Sequence, residues 1–184
     1  GHVYVNTSEA PVIAWNEREL SFEIYDKNTY TANELIERGY RDVLCFGPIL
    51  MENGEIRPDL NRYPHFDADY QRSRTGIGQV EPGHFVAISV DSEKPGVAKG
   101  LRMEELAQLF KDEGCVLAYN LDGGQSVDIV FMGEYLRERS SRRHPPDSLL
   151  FGHTWLLPKE SDPAPDRYEV GTDENGNPIL VPKK

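Results

Sequence analysis

The chain has 184 residues, with 31 acidic against 20 basic side chains and a formal net charge of −11 at pH 7. That excess argues against non-specific nucleic-acid binding and against adhesion to an anionic membrane surface, since both need Lys and Arg to neutralise phosphate. No apolar run approaches the roughly 20 residues of a membrane span and no charged-then-apolar leader opens the sequence, so a soluble chain with one full-sized core is expected, without direct membrane insertion.

Val12–Trp15 and Leu20–Tyr25 are two short β-like runs separated by polar residues, which predicts a hairpin. Thr31-Ala32-Asn33-Glu34 has the capping-box form, and Gly39 is placed to end a helix of about two turns. Val43–Phe46 is apolar on both faces, as a central strand would be, and Gly47-Pro48 breaks it. Ile49–Met51 with the following Asn53-Gly54 predicts an edge strand and a tight turn. Periodicity vanishes from Arg57 to Arg74, and a loop of that length in a compact domain is usually functional or mobile.

The run from His84 to Asp91 predicts a strand, and Lys94-Pro95-Gly96 a turn. Met103, Leu106, Ala107 and Phe110 fall on one face of a helix that Gly114 would cap. Cys115–Tyr119 predicts a buried strand, Asn120–Ser126 a polar loop, and Ser126–Met132 a second strand with Val127, Ile129 and Phe131 on one face. Leu149–Leu157 reads as a closing strand. The expected division is a domain over residues 1–158 and a Pro-rich, acidic tail or peripheral hairpin over 159–184, where Glu169–Gly171 can pair with Ile179–Val181. Cys45 and Cys115 both sit in apolar runs and are expected as buried free thiols rather than a disulfide. The whole pattern predicts an α+β fold: a mixed, largely antiparallel sheet flanked by a few helices.

Three polar groups stand out: the loop Asn120-Leu121-Asp122-Gly123-Gly124-Gln125-Ser126, the segment Arg72-Ser73-Arg74-Thr75-Gly76-Ile77-Gly78, and Arg142-Arg143-His144 with Asp147. Each also has an ordinary structural explanation: a plain turn, a surface arginine entering a strand, and a solvated loop. Asn120, Asp122 and Asp128 offer oxygens of the kind Ca²⁺ or Mg²⁺ takes, although the spacing is not an EF-hand and three oxygens are too few.

The order of Phe46-Gly47-Pro48-Ile49-Leu50, Arg74-Thr75-Gly76-Ile77-Gly78, the strand ending at Asp91, Gly100-Leu101 with Glu104-Glu105-Leu106-Ala107, and Asn120-Leu121-Asp122-Gly123-Gly124-Gln125-Ser126 resembles the phosphodiester glycosidases, the family of the lysosomal mannose-phosphate uncovering enzyme. The resemblance covers residues 10 to 157. Here Gln125 replaces the family's usual third glycine, Asp128 stands where Thr or Ser is common, and the usual upstream Asn-Gly-Gly-Phe-Phe motif is not in this sequence. The resemblance implies an extracytoplasmic hydrolase for a sugar-1-phosphodiester that needs no cofactor, with Ca²⁺ or Mg²⁺ at Asp122 and Asp128 as the exception. Asp122 would act as base or charge stabiliser and Arg74 as phosphate clamp, while Asn120, Gly123, Gly124, Ser126, Thr75, Arg143 and His144 would bind substrate. The alternative is a non-catalytic module that binds wall glycan or exopolysaccharide.

Overall fold

A computed structural model describes residues 3, 5–16, 19–40, 42–60, 68–92, 99–131, 134–136, 149, 168–172 and 178–182. The chain divides into two compact units, Gly1–Pro145 and Pro146–Lys184. The first unit opens with the expected hairpin. Strand β1 (Val12–Asn16) pairs antiparallel with β2 (Ser21–Tyr25), Ala14 standing opposite Glu23. Helix α1 (Ala32–Glu37) follows, started by the capping box: Glu34 N donates to Thr31 Oγ1 at 3.2 Å, and Thr31 N to Glu34 Oε2 at 2.7 Å. Gly39 ends the turn at φ +99°, a conformation that glycine adopts without the Cβ penalty.

Strand β3 (Asp42–Cys45) joins the other side of β1 and lies at the edge of a three-stranded sheet, which corrects the expectation of a central strand. Its apolar pair has another cause. Val43 packs with Leu35 and Tyr40 on the α1 side, and Leu44 packs with Ile13 and Phe22 on the other, so the sheet is covered on both faces even at its edge. Cys45, expected to be buried, is exposed, while Cys115 is buried, and both are free thiols.

A second sheet carries the polar loop. Strands β4 (Ile49–Glu52) and β5 (Glu55–Ile56) form a hairpin whose Asn53 and Gly54 both have positive φ. Strands β6 (Arg74–Glu81) and β7 (His84–Val90) form a longer one, α2 (Met103–Asp112) crosses over, and β8 (Leu117–Leu121) returns. The strand order is β5-β4-β8-β6-β7, so β4 is flanked on both sides and β5 is the edge strand. Since β6 is antiparallel to both neighbours, β7 and β8 run parallel, joined by α2. Every ladder among the described residues is antiparallel, and the fold is α+β as the sequence predicts.

The layers follow from strand alternation. On one face of the second sheet, Met51 and Ala118 meet Met103, Leu106, Ala107 and Phe110 of α2. Gly76 and Gly78 make room for that helix, for a Cβ on Gly78 would lie 2.7 Å from the Phe110 ring and from Cys115 Sγ. On the other face Ile49, Ile77 and Tyr119 pack on Ile13 and Phe22 of the first sheet. Two polar ties join the sheets there. Phe22 N donates to Gln79 Oε1 at 2.9 Å, while Tyr119 OH donates to Pro11 O and accepts from Phe46 N, each at 2.7 Å.

After β8 the chain departs from expectation. Of the strand expected over Ser126–Met132, the described residues form one only at β9 (Val130–Phe131), which pairs among them with β10 (Glu134–Tyr135), while Gly124–Ser126 forms a 3₁₀ turn. Both sides of β8 are already taken by β4 and β6, so this stretch adds no strand beside β8, and Phe131 is 64% exposed. The long irregular segment after β5 is anchored where it is described. Arg57 chelates Asp59 through Nε and Nη2 at 2.9 and 3.0 Å and also binds Glu52, and Leu60 and Ala68 enter the core. In the second unit, β11 (Tyr168–Thr172) and β12 (Pro178–Pro182) pair antiparallel with Val170 opposite Leu180. The expected turn at Lys94-Pro95-Gly96 lies outside the described residues, as does the closing strand but for the exposed Leu149.

Candidate functional site

Four chain segments meet at one end of the second sheet: the start of β4, the start of β6, the end of β7 and the end of β8. The antiparallel registers bring them together, with Ile49 opposite Tyr119, Gly76 opposite Asn120, and Arg74 opposite Val90. Asn120, expected in the loop, is inside β8, and its side chain is 2% exposed. Its Nδ2 donates to Gly47 O at 2.8 Å and its backbone N to Pro48 O at 3.0 Å, so one residue stitches β8 to the approach of β4. Gly47–Pro48 is a cis peptide. Asn120 Oδ1 is buried with no hydrogen-bond partner among the described residues, an acceptor of the kind that a ligand or a water ordinarily fills.

Asp122 follows directly and is exposed, its Oδ1 accepting from Gly123 N at 2.9 Å. Gly123 is in extended backbone (φ −125°), so its need for glycine is spatial: a Cβ there would lie 2.6 Å from Ser73 O and 3.0 Å from Arg74 Cα. Gly124 needs glycine conformationally, at φ +63°. The following turn closes when Ser126 N donates to Gly123 O and Val127 N to Gly124 O, at 3.3 and 3.2 Å. Backbone approach and turn geometry thus pin Asp122 to the first residues of β6.

Arg74 is not a surface arginine. It is 6% exposed, its Nε donates to Leu101 O and its Nη2 to Tyr70 O, both at 3.1 Å, so it ties down the segment entering β6 and the one leading into α2. The same two segments are joined by reciprocal backbone bonds between Arg72 and Leu101, beside a Gly100 whose Cβ would fall 2.2 Å from Arg72 O. Thr75 sits on the other face of the sheet from Arg74 and Gly76, with its hydroxyl 3.0 Å from that of Ser89. Ser126, the last residue of the turn, and Asp128 just beyond it are partly buried, while Arg143 and His144 lie outside the described residues. Among the described residues no three His, Cys, Asp or Glu side chains gather as a metal site would require.

Sequence reasoning gave no role to Ser73, inside a segment it singled out, or to Asp91, at the end of a predicted strand, and it passed over Ser92. Ser73 N donates to Ser92 Oγ and Ser92 N to Ser73 Oγ, both at 2.9 Å, and Asp91 Oδ1 lies 3.5 Å from Ser73 Oγ. Pairing the runs on either side of Pro82-Gly83 as a regular hairpin would have set Ser73 across from Ser92, and the irregularity between Gln79 and Glu81 shifts it by one residue to face Asp91.

The profile of the family described as phosphodiester glycosidase matches residues 2–151. The chain belongs to that family. A relative, the SPbeta prophage-derived uncharacterized protein YomE of Bacillus subtilis (strain 168), is 29% identical over 120 residues. That alignment spans 65% of this chain and only 18% of the relative. Among solved structures, the catalytic domain of zebrafish N-acetylglucosamine-1-phosphodiester alpha-N-acetylglucosaminidase, auto-inhibited by pro-peptide, superposes at a TM-score of 0.55 and 19% identity. It covers 71% of this chain and 45% of that one, a likeness of fold. A hypothetical protein from Synechocystis, also 19% identical, covers 74% of this chain and 32% of that one at a TM-score of 0.46. Asn120–Ser126, which lies within the matched residues, runs from the end of β8 into the turn that rests on the start of β6.

Proposed function

We propose that this chain hydrolyses a sugar-1-phosphodiester at the end of the second sheet. Water adds to the anomeric carbon, the bond from that carbon to the phosphate oxygen breaks, and the phosphomonoester leaves with the electron pair. Free sugar is the other product. A phosphate leaving group is a weak base that needs little protonation, so the demands fall on activating water and stabilising negative charge.

Asp122 takes the first role or stabilises positive charge at the anomeric carbon, because it is exposed and held by backbone contact at a rigid strand end. Asn120 and Ser126 orient the substrate, and the Gly123-Gly124 backbone lines the phosphate side. Arg74 supplies the positive charge for the phosphate; two of its donors already hold loop carbonyls, so it acts from a fixed position. Thr75 contributes from the opposite face of β6, and Arg143 and His144, which lie outside the described residues, are assigned to substrate binding on the family resemblance. The observation that carries this proposal is the seating of Asp122-Gly123 on the Ser73–Arg74 backbone.

The test is a panel of sugar-1-phosphodiesters with both products followed. Release of free sugar and phosphomonoester in equal amounts is expected, and it should persist after chelation of divalent metals, because the proposed chemistry uses none. Calorimetric binding of the same compounds with no product over hours would replace this account with a glycan-binding module.

A further inference from the structure

The β6–β7 ladder ends at Arg74 opposite Val90, yet the two strands stay joined beyond it through side chains. Ser73 N donates to Ser92 Oγ at 2.9 Å, Ser92 N returns to Ser73 Oγ at 2.9 Å, and the two hydroxyls are 2.8 Å apart. One arrangement uses both hydroxyl protons: Ser92 donates to Ser73, and Ser73 points its own proton at Asp91 Oδ1, 3.5 Å away. This clasp fixes the Ser73 peptide, and that peptide is the surface on which Gly123 rests too closely for a Cβ.

We infer that Ser73 and Ser92 are positioning residues, their reciprocal hydrogen bonds setting where the Asp122–Gly124 turn stands. The geometric claim is independent of chemistry, whereas its consequence for catalysis rests on the hydrolase proposal. A clasp that served only the hairpin would leave the turn unaffected, since the turn belongs to a different strand. A clasp that positions the turn must be felt across the contact between Ser73 and Gly123, two residues 50 positions apart in sequence.

Hydrogen exchange on the full chain decides between these. Ser92→Ala should raise exchange in the peptide spanning Asn120 to Val127 by about tenfold relative to wild type, with the α2 amides unchanged. Ser92→Thr, which keeps the hydroxyl, should bring it back to within about twofold. On a hydrolysed phosphodiester the alanine variant should lose about tenfold in kcat with KM nearly unchanged, the signature of misplacement rather than lost binding. Ser73→Ala provides the second variant should the first fold poorly. Unchanged exchange in the turn with either alanine, or an equal rise throughout α2, would overturn the inference. If no phosphodiester is turned over at all, the hydrolase proposal fails, and the exchange data still decide the clasp.

Discussion

Two pairs of glycines in this chain, Gly76 with Gly78 inside β6 and Gly123 with Gly124 just past the end of the neighbouring β8, do opposite work. The first pair makes room for a helix: the missing Cβ atoms let the Phe110 ring lie against β6. The second makes room for backbone and for a turn, Gly123 lying against the Ser73 carbonyl and Gly124 at positive φ. Glycine thus reports close approach both inside a strand and just past the end of one, but what approaches differs, and with it the property at stake. Stability depends on the first pair and placement of Asp122 on the second.

The sharpest way to break this contrast is to add one methyl at each site. Phe110→Ala, the reverse operation on the first pair, should cost about 3–5 kcal/mol in melting or denaturant experiments, since it leaves a cavity in the fully buried helix face. Gly123→Ala should reduce turnover about a hundredfold, because the turn must shift off the Ser73 carbonyl, while melting changes far less. Gly78→Ala should do the converse, costing about 1–3 kcal/mol through overpacking against Phe110 and Cys115 while kcat per folded molecule is retained. Equal effects of the two glycine variants on kcat would erase the distinction. Arg74→Ala sits between the two regions. It should weaken phosphodiesters more than neutral glycosides, and equal losses on both would give Arg74 a structural role, such as its ties to Leu101 and Tyr70, in place of the phosphate clamp.

Much of this was legible in the sequence. The capping box at Thr31, the β1–β2 hairpin, the apolar face of α2 and the Asn53-Gly54 turn are local signals, and each formed as expected. What failed depended on strand order. Val43–Cys45 was apolar on two faces because the first sheet is covered on both, not because the strand is central. Val127, Ile129 and Phe131 alternate like a strand, but β8 has no free side to receive them. The polar loop was recognisable by composition, whereas the clasp beneath it required knowing that β6 pairs with β7. The burial of Arg74, whose guanidinium donates to Leu101 O and Tyr70 O, involves the segment that leads into α2, which no local pattern shows.

Smaller effects follow from the titrating groups of the fold. Burial pushes the Cys115 thiol up to about 11, with the Glu113 charge assisting. Burial also raises Tyr25 and Tyr40, whose hydroxyls are hydrogen-bonded to each other, with Glu23 reinforcing both shifts. All three groups hold protons more tightly folded than unfolded. Their contribution is therefore complete below the unfolded values and lost as pH rises, so the melting temperature should fall between pH 9 and about 11. Alkylation at pH 8 should label the exposed Cys45 and spare Cys115. At the acid end Glu34 is shifted down, chiefly by the Thr31 backbone N–H, so its capping contribution is present at neutral pH and lost on acidification. Glu34→Gln should flatten that acid limb slightly.

The most direct test of the central claim is turnover of one sugar-1-phosphodiester by wild type and by Asp122→Asn, with melting measured on both. Hydrolysis by wild type, a loss of about a thousandfold or more in the variant, and matched melting temperatures are predicted, because Asp122 is exposed and its removal leaves the core intact. Equal rates in the two proteins would remove Asp122, and the turn that holds it, from the reaction.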